Sequence, residues 1–379
     1  MTGSVNVAFV WDNFGPLHAD RCDAVARALG DRGVVVGIEL FARSETYGWI
    51  PAAGALFEKV TLFERRGVSA WRVAGALVGA IRRRDCRHVF LCHYHQPYVA
   101  ISALLLRVLG KRLYFLGDSK FDDYPRRLWR EVLKSIYLWP YHGAMSGSPR
   151  SRDYLRFLGF RAPITPGYDT VDTARIRKQA GLFAAPQFAE RHFVHIARLV
   201  PKKNTMVLIE AMGLLQRSGR LSRILRILGD GPEGEALRCR VRDLGLEEWV
   251  RFDGFVQTAA VSATLSRSLC IILPSIEEQF GQVVAEALAL GVPAIVSPAV
   301  GARDELVRSG VNGFVVEPDN AEGLAYFMHL LSSDQELWAS MSAGTERYRD
   351  FAGTARFSAS ALALIGHTES AGKARGASR

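Results

Sequence analysis

Residues 269–293 read LCIILPSIEEQFGQVVAEALALGVP. The first five, Leu269–Leu273, are apolar without alternation, the pattern of a short strand covered on both faces. Pro274, Ser275 and Gly281 punctuate the turn that follows. Val283–Leu290 then reads as a helix, stopped by Gly291-Val292-Pro293. Strand, turn and helix in this order make half of a βαβ unit, which requires a parallel neighbour.

The same rhythm extends outward in both directions. Strands are expected at Phe193–Ile196, Ser222–Leu228, Val250–Asp253, Ala294–Ser297 and Phe314–Val316, with helices near Thr205–Ser218 and Gly234–Leu244. In the first half, strands are expected at Asn6–Trp11, Val34–Phe41, Lys59–Leu62, His88–His93 and Arg112–Leu116. Helical patterns near Asp20–Leu29, Trp71–Arg83, Ala100–Leu109 and Arg127–Ile136 alternate with them. The fold class is therefore α/β, two Rossmann-like doubly wound domains facing each other across a cleft. The expected boundaries are residues 1–170, a polar hinge at 171–190, and 191–365, whose last helix could pack back on the first domain. A Gly/Ala/Ser/Lys-rich tail at 366–379 is expected to be disordered.

Composition narrows the classes further. The 379 residues are 49% hydrophobic and 23% charged, ordinary for globular domains. No apolar run approaches the roughly 18 residues of a membrane span. Met1–Val5 lacks the basic region of an export signal. Five cysteines without a C-x-x-C pair suit a reducing cytoplasm. The net charge of +10 is uneven, because residues 1–180 hold 27 Lys/Arg against 16 Asp/Glu. Basic clusters with aromatic neighbours, such as Arg126-Arg127-Leu128-Trp129-Arg130, suit an anionic membrane surface or an anionic acceptor. A solvated basic face is the plainer alternative. No nucleic-acid motif accompanies the charge, so no nucleic-acid partner is expected.

Ligands in open α/β sheets bind beyond the carboxyl ends of the strands. Three loops at such ends carry candidate chemistry. In the opening stretch, Glu278 sits in the turn and Glu286 on the helix, with the amides of Phe280, Gly281, Gln282 and Val283 at a helix N-terminus suited to phosphate. Ala197 to Asn204 delivers Arg198 and Lys203, cations able to neutralise a leaving diphosphate. Gly229-Asp230-Gly231-Pro232 is a loop whose glycines permit close ligand approach.

Together these residues resemble the C-terminal domain of family 4 glycosyltransferases, which have the GT-B fold. The family's two glutamates stand as Glu278 and Glu286 with Phe280-Gly281 between, and its Ala-x-Gly-x-Pro ending as Ala289 to Pro293. Its Arg-Leu-x-x-x-Lys element stands as Arg198 to Lys203, and its Gly-Asp-Gly-Pro loop as Gly229 to Pro232. Gly301 to Glu305 and Gly310 to Gly313 match two later pieces. The resemblance implies a retaining transferase needing no metal or other cofactor, whose donor is a nucleotide-diphosphate sugar with UDP or GDP. It implies that Glu286 binds the ribose, Glu278 the transferred sugar, and Arg198 and Lys203 the diphosphate. Gly254 and Phe255 would lie beside the nucleobase.

The first half matches the family less closely. Gly15 stands alone where the family has a Gly-Gly turn, and His18 beside it either lines the cleft or simply starts a helix. His93 and His95 end the fourth strand, as cleft lining, plain packing or a weak metal pair. Asp118 stands where many members carry a donor-contacting His, which makes it a catalytic candidate. Lys120 and Asp122, beside Asp123, are acceptor-side candidates or part of a solvated loop, with Asp122-Asp123 as a metal pair the third reading. The expected function is transfer of a sugar to a hydroxyl acceptor, lipid-linked and met at the inner face of the cell membrane, in polysaccharide, glycolipid or secondary-metabolite assembly. A nucleotide-sugar epimerase on the same fold and a non-catalytic binder are the rivals.

Overall fold

The computed structural model describes residues 4–43, 56–181 and 186–377, with side chains through 370. The chain divides into two compact units. The first comprises 1–121, 125–172 and 353–379, and the second 122–124 and 173–352.

The first unit holds a seven-stranded parallel sheet in the order β3-β2-β1-β4-β5-β6-β7. Its strands are β1 (Val7–Trp11), β2 (Val35–Phe41), β3 (Glu58–Phe63), β4 (His88–Leu91), β5 (Arg112–Gly117), β6 (Gly143–Ser146) and β7 (Ile164–Thr165). Alternation sorts each central strand between two cores. Ala8, Val10, Val89, Leu91, Leu113 and Phe115 join the side chains of the helices Ala70–Arg83 and Pro97–Val108. Val7, Phe9, Trp11, Phe90, Tyr114 and Leu116 join Cys22 and Val25 of the helix Pro16–Leu29. Both faces are covered, which is why these strands read as unbroken apolar runs.

The second unit repeats the plan with six strands in the order β10-β9-β8-β11-β12-β13. They are β8 (His192–Ile196), β9 (Leu225–Leu228), β10 (Val250–Gly254), β11 (Ser268–Leu273), β12 (Ala294–Val296) and β13 (Gly313–Val315). All are parallel, and the order reverses direction between β8 and β11, the switch point where α/β sheets place ligands.

Three boundary expectations change. The second unit ends at Ala352 rather than 365, and the helix Thr354–Ala377 belongs to the first unit, where Phe357, Ala361, Leu364 and Ile365 complete the core around Phe9 and Tyr114. The stretch from Gly366, expected to be disordered, continues this helix to Ala377. Residues 378 and 379 lie outside the described residues. The hinge contains a helix, Thr173–Ala180, which opens the second unit, and its residues 182–185 lie outside the described ones. Two short strands went unexpected: β6 is made of Gly, Ala, Met and Ser, and β7 is two residues long.

Candidate active site

At the switch point of the second unit, backbone hydrogen bonds tie four strand-end loops together. Ala197 N donates to Leu228 O, Leu199 N to Asp230 O at 3.0 Å, and Gly229 N to Gly254 O at 2.7 Å. Ile276 N donates to Lys202 O at 2.8 Å, joining the loops after β8 and β11. Glycine is required where these loops touch: a Cβ on Gly229 would lie 1.8 Å from Ala197 O. Asn204 adopts a left-handed conformation and its amide donates to Pro274 O (3.0 Å) and Pro318 O (2.6 Å). The result is a rigid floor, built mostly from backbone.

Charged side chains stand on that floor. Lys203 donates to the Glu278 carboxylate, and both are about 85% covered, with side-chain exposures of 14% and 15%. Beside them Lys202 pairs with Glu277 at 2.8 Å. Arg198 is exposed at the start of its loop. Gly281, at φ 89°, is the N-cap of the helix Gln282–Ala289, and that conformation turns the chain out of the loop into the helix. Gln282 and Val283 supply its first amides, Phe280 is buried behind them, and Glu286 on the second turn is buried with 8% exposure. Gly254 also has a positive φ, and Phe255 beyond it is exposed. The sequence candidates of the second unit are thus brought to one end of one sheet.

Beneath this site His195 is wholly buried between Ile272 O (2.8 Å) and the Thr205 hydroxyl (3.1 Å), and burial pushes its pKa down to about 4. It fixes β8 to β11 and to the helix that follows Lys203, a role for which the sequence reading had no signal.

The strand ends of the first unit form a separate cluster. Asp12, buried in the loop after β1, accepts from Arg66 (2.5 Å) and from the Tyr98 hydroxyl (3.1 and 3.2 Å). Glu39 accepts from Phe14 N (2.7 Å) and Thr61 (2.9 Å), anchoring the same loop. Gly15 caps the helix Pro16–Leu29, and its N–H donates to His18 Nδ1 at 2.9 Å. His18 stands at the start of that helix and is half-buried. Burial, then Arg21, holds its pKa well below the usual value.

His93, at φ 57°, lies 3.9 Å from Asp12, and the neighbouring Cys92 and then Asp12 raise its pKa to about 9 against the effect of burial. His95 is exposed, its ring 6.3 Å from that of His93. Among the described residues no three His, Cys, Asp or Glu side chains gather as metal ligands. Asp118 is half-buried next to Gly147, where an added Cβ would lie 3.0 Å from its own. Lys120 is buried, and in the segment 122–124, which belongs to the second unit, Asp123 is buried and Asp122 exposed, so the solvated-loop reading is corrected for Lys120 and Asp123. Asp12, Glu39 and Arg66 were not singled out beforehand. Their partners lie 22 to 86 residues away, so spacing could not reveal them.

Comparison with known proteins places the second unit. The family model described as Glycosyl transferases group 1 matches residues 185–347, so the chain carries a domain of that type. An uncharacterized glycosyltransferase of Methanocaldococcus jannaschii is 32% identical over 38% of this chain and 36% of its own. Alpha-D-kanosaminyltransferase of Streptomyces kanamyceticus is 28% identical over 71% of this chain and 75% of its own. The matches span only 12% to 36% of the length of the first three curated relatives. Among solved structures, Anabaena HepE in complex with UDP and glucose superposes with a TM-score of 0.71 at 18% identity, covering 97% of this chain and all of that one. The fold is GT-B, with two Rossmann-like parallel-sheet domains.

Proposed function

We propose that the chain is a retaining glycosyltransferase that moves a sugar from a nucleotide-diphosphate donor to a hydroxyl acceptor. The observation that carries this reading is the Lys203–Glu278 pair beside the N-terminus of the helix bearing Glu286, at the switch point of the second sheet. Lys203 has three N–H donors and gives one to Glu278, so two remain for diphosphate oxygens. Arg198 and the amides of Gly281 and Gln282 add further positive potential. Glu286, buried on its helix, accepts hydrogen bonds from ribose hydroxyls, and Glu278 from those of the transferred sugar.

Charge on the departing diphosphate is then offset by side chains and amides, which makes the donor half metal-independent. The acceptor hydroxyl attacks from the face the diphosphate leaves, and a diphosphate oxygen takes its proton. Relatives of this domain include a putative colanic acid biosynthesis glycosyltransferase and a kanosaminyltransferase, which supports a role in polysaccharide or secondary-metabolite assembly. The HepE complex supports UDP as carrier. The basic first half supports an acceptor that is anionic or lipid-linked.

A thermal-shift series with UDP, GDP, ADP and TDP and their sugar conjugates, in the presence of chelator, tests the reading. A millimolar ligand of micromolar affinity should stabilise by about 4 kcal/mol. Selective stabilisation by one nucleotide, followed by acceptor-dependent sugar transfer, is expected. Turnover of the donor to an epimer without acceptor would replace the reading with the epimerase one. Binding without turnover on any acceptor class would leave a binder.

A further inference from the structure

The helix Leu128–Leu138 in the first unit is inside out. Its charged residue Glu131 is buried, accepting from Lys134 Nζ at 2.8 Å and from the Tyr154 hydroxyl, with Arg126 at 3.8 Å. Lys134 and Ser135 share that inward side, half-buried. Apart from Leu138, which is buried in the core, its apolar residues point the other way. Leu128, Trp129, Val132, Leu133, Ile136 and Tyr137 are 44% to 68% exposed, at spacings that form one continuous stripe of a helix. A surface helix of a water-soluble domain normally shows the reverse, and a stripe of this kind marks an interaction site.

The stripe continues beyond the helix. Trp139 is 67% exposed, and the Arg107 guanidinium lies 5.9 Å from its ring centroid and donates to Pro140 O at 3.4 Å. Arg107 belongs to the helix Pro97–Val108, which exposes Leu104, Leu105 and Val108. Arg107 thus links Trp139 to a second helix that also exposes apolar side chains.

Its rim identifies the occupant. Of the four cations in residues 126–139, Arg126 and Lys134 face the one carboxylate, buried Glu131, which leaves two on the rim. Arg127 and Arg130 are exposed, and Arg130 lies 5.2 Å from the Trp129 ring centroid. A second copy docking here by twofold symmetry would set this positive rim against itself. Anionic headgroups complement it, and Trp with flanking Arg is the composition suited to the boundary between headgroups and acyl chains.

We propose that this face, centred on the helix Leu128–Leu138, docks the protein on an anionic lipid bilayer surface. Among the described residues no helix is long and apolar enough to cross a membrane, so the contact is with one leaflet. Lipid binding through this face does not require a working donor site, so the two readings fail separately.

The test is flotation of the full chain with vesicles of phosphatidylcholine alone or with about 30% phosphatidylglycerol, at about 50 mM and about 500 mM salt. Partition onto anionic vesicles at low salt should exceed that onto neutral ones by about tenfold or more and fall several-fold at high salt. The triple variant Leu128→Gln, Val132→Gln, Ile136→Gln should lose about tenfold in partition. Because the substituted side chains are exposed, its melting temperature and its stabilisation by UDP should match the wild type. A second variant, Arg127→Glu with Arg130→Glu, should lose binding to anionic vesicles. Replacing Arg82, Arg83 and Arg84 with Gln should leave partition within about twofold. Equal binding to both vesicle types, wild-type partition by the triple variant, or a wild-type dimer that the triple variant turns into monomer would each overturn the assignment, the last giving the face to a second copy.

Discussion

The two sheets share one strand order through their first six strands, yet they treat the charges at their strand ends in opposite ways. In the first unit Asp12 is held by Arg66 and Tyr98, and Glu39 by Phe14 N and Thr61, so charge stabilises the loop itself. In the second unit backbone hydrogen bonds fix the loops, and Arg198, Lys203, Glu278 and Glu286 stand on them. One topology can fix its strand-end loops by buried side-chain charge or by backbone hydrogen bonds. The composition differs as well: the first 180 residues carry a net +11, whereas the remainder is near neutral.

Substitutions should separate the units. The largest effect is expected from Phe357→Ala, which empties a fully buried site 5.5 Å from the Phe9 ring centroid and should cost about 3–5 kcal/mol. Urea unfolding should show the loss, while UDP affinity at the second unit stays within about twofold. Equal loss of UDP binding would show that the units do not behave independently.

Next come Glu286→Ala and Lys203→Ala, each expected to lower transfer by about 10²–10³-fold with little change in melting temperature. Wild-type turnover in either would remove that residue from the proposed site.

Smaller is the response to acid. The folded pKa of His195, about 4, lies below its ordinary value near 6.5. Stability from the buried neutral ring is therefore complete above pH 6.5 and is lost as pH falls toward 4. Between pH 7 and 4.5 this amounts to about 2–3 kcal/mol. His195→Gln should narrow its gap to the wild type over that range, measured by denaturant titration at each pH. A gap that stays constant would show that His195 does not titrate with unfolding.

Most of the second unit's fold was legible because its pattern is local. Strand, turn and helix follow within 25 residues around Glu278, and buried parallel strands announce themselves as unbroken apolar runs. Long-range contacts were hidden. Nothing near Asp12 signals Arg66 or Tyr98, and nothing in the composition of 354–377 assigns that helix to the first sheet. The helix at Leu128 was legible as amphipathic and basic, but periodicity reveals that two faces differ, not which one the protein covers. Here an inward Glu131, neutralised by Lys134 and Arg126, inverts the usual arrangement.

The return of Thr354–Ala377 to the first unit also orders events during synthesis. β1 leaves the ribosome early, with Phe9 and Trp11 facing a site that Phe357 and Ala361 will fill. Those residues emerge only after the whole of 173–352, at about 5–20 residues per second. The second unit has time to fold first, and the sheet begun earliest is sealed latest. The first strand is therefore the part of the chain left longest without its native cover.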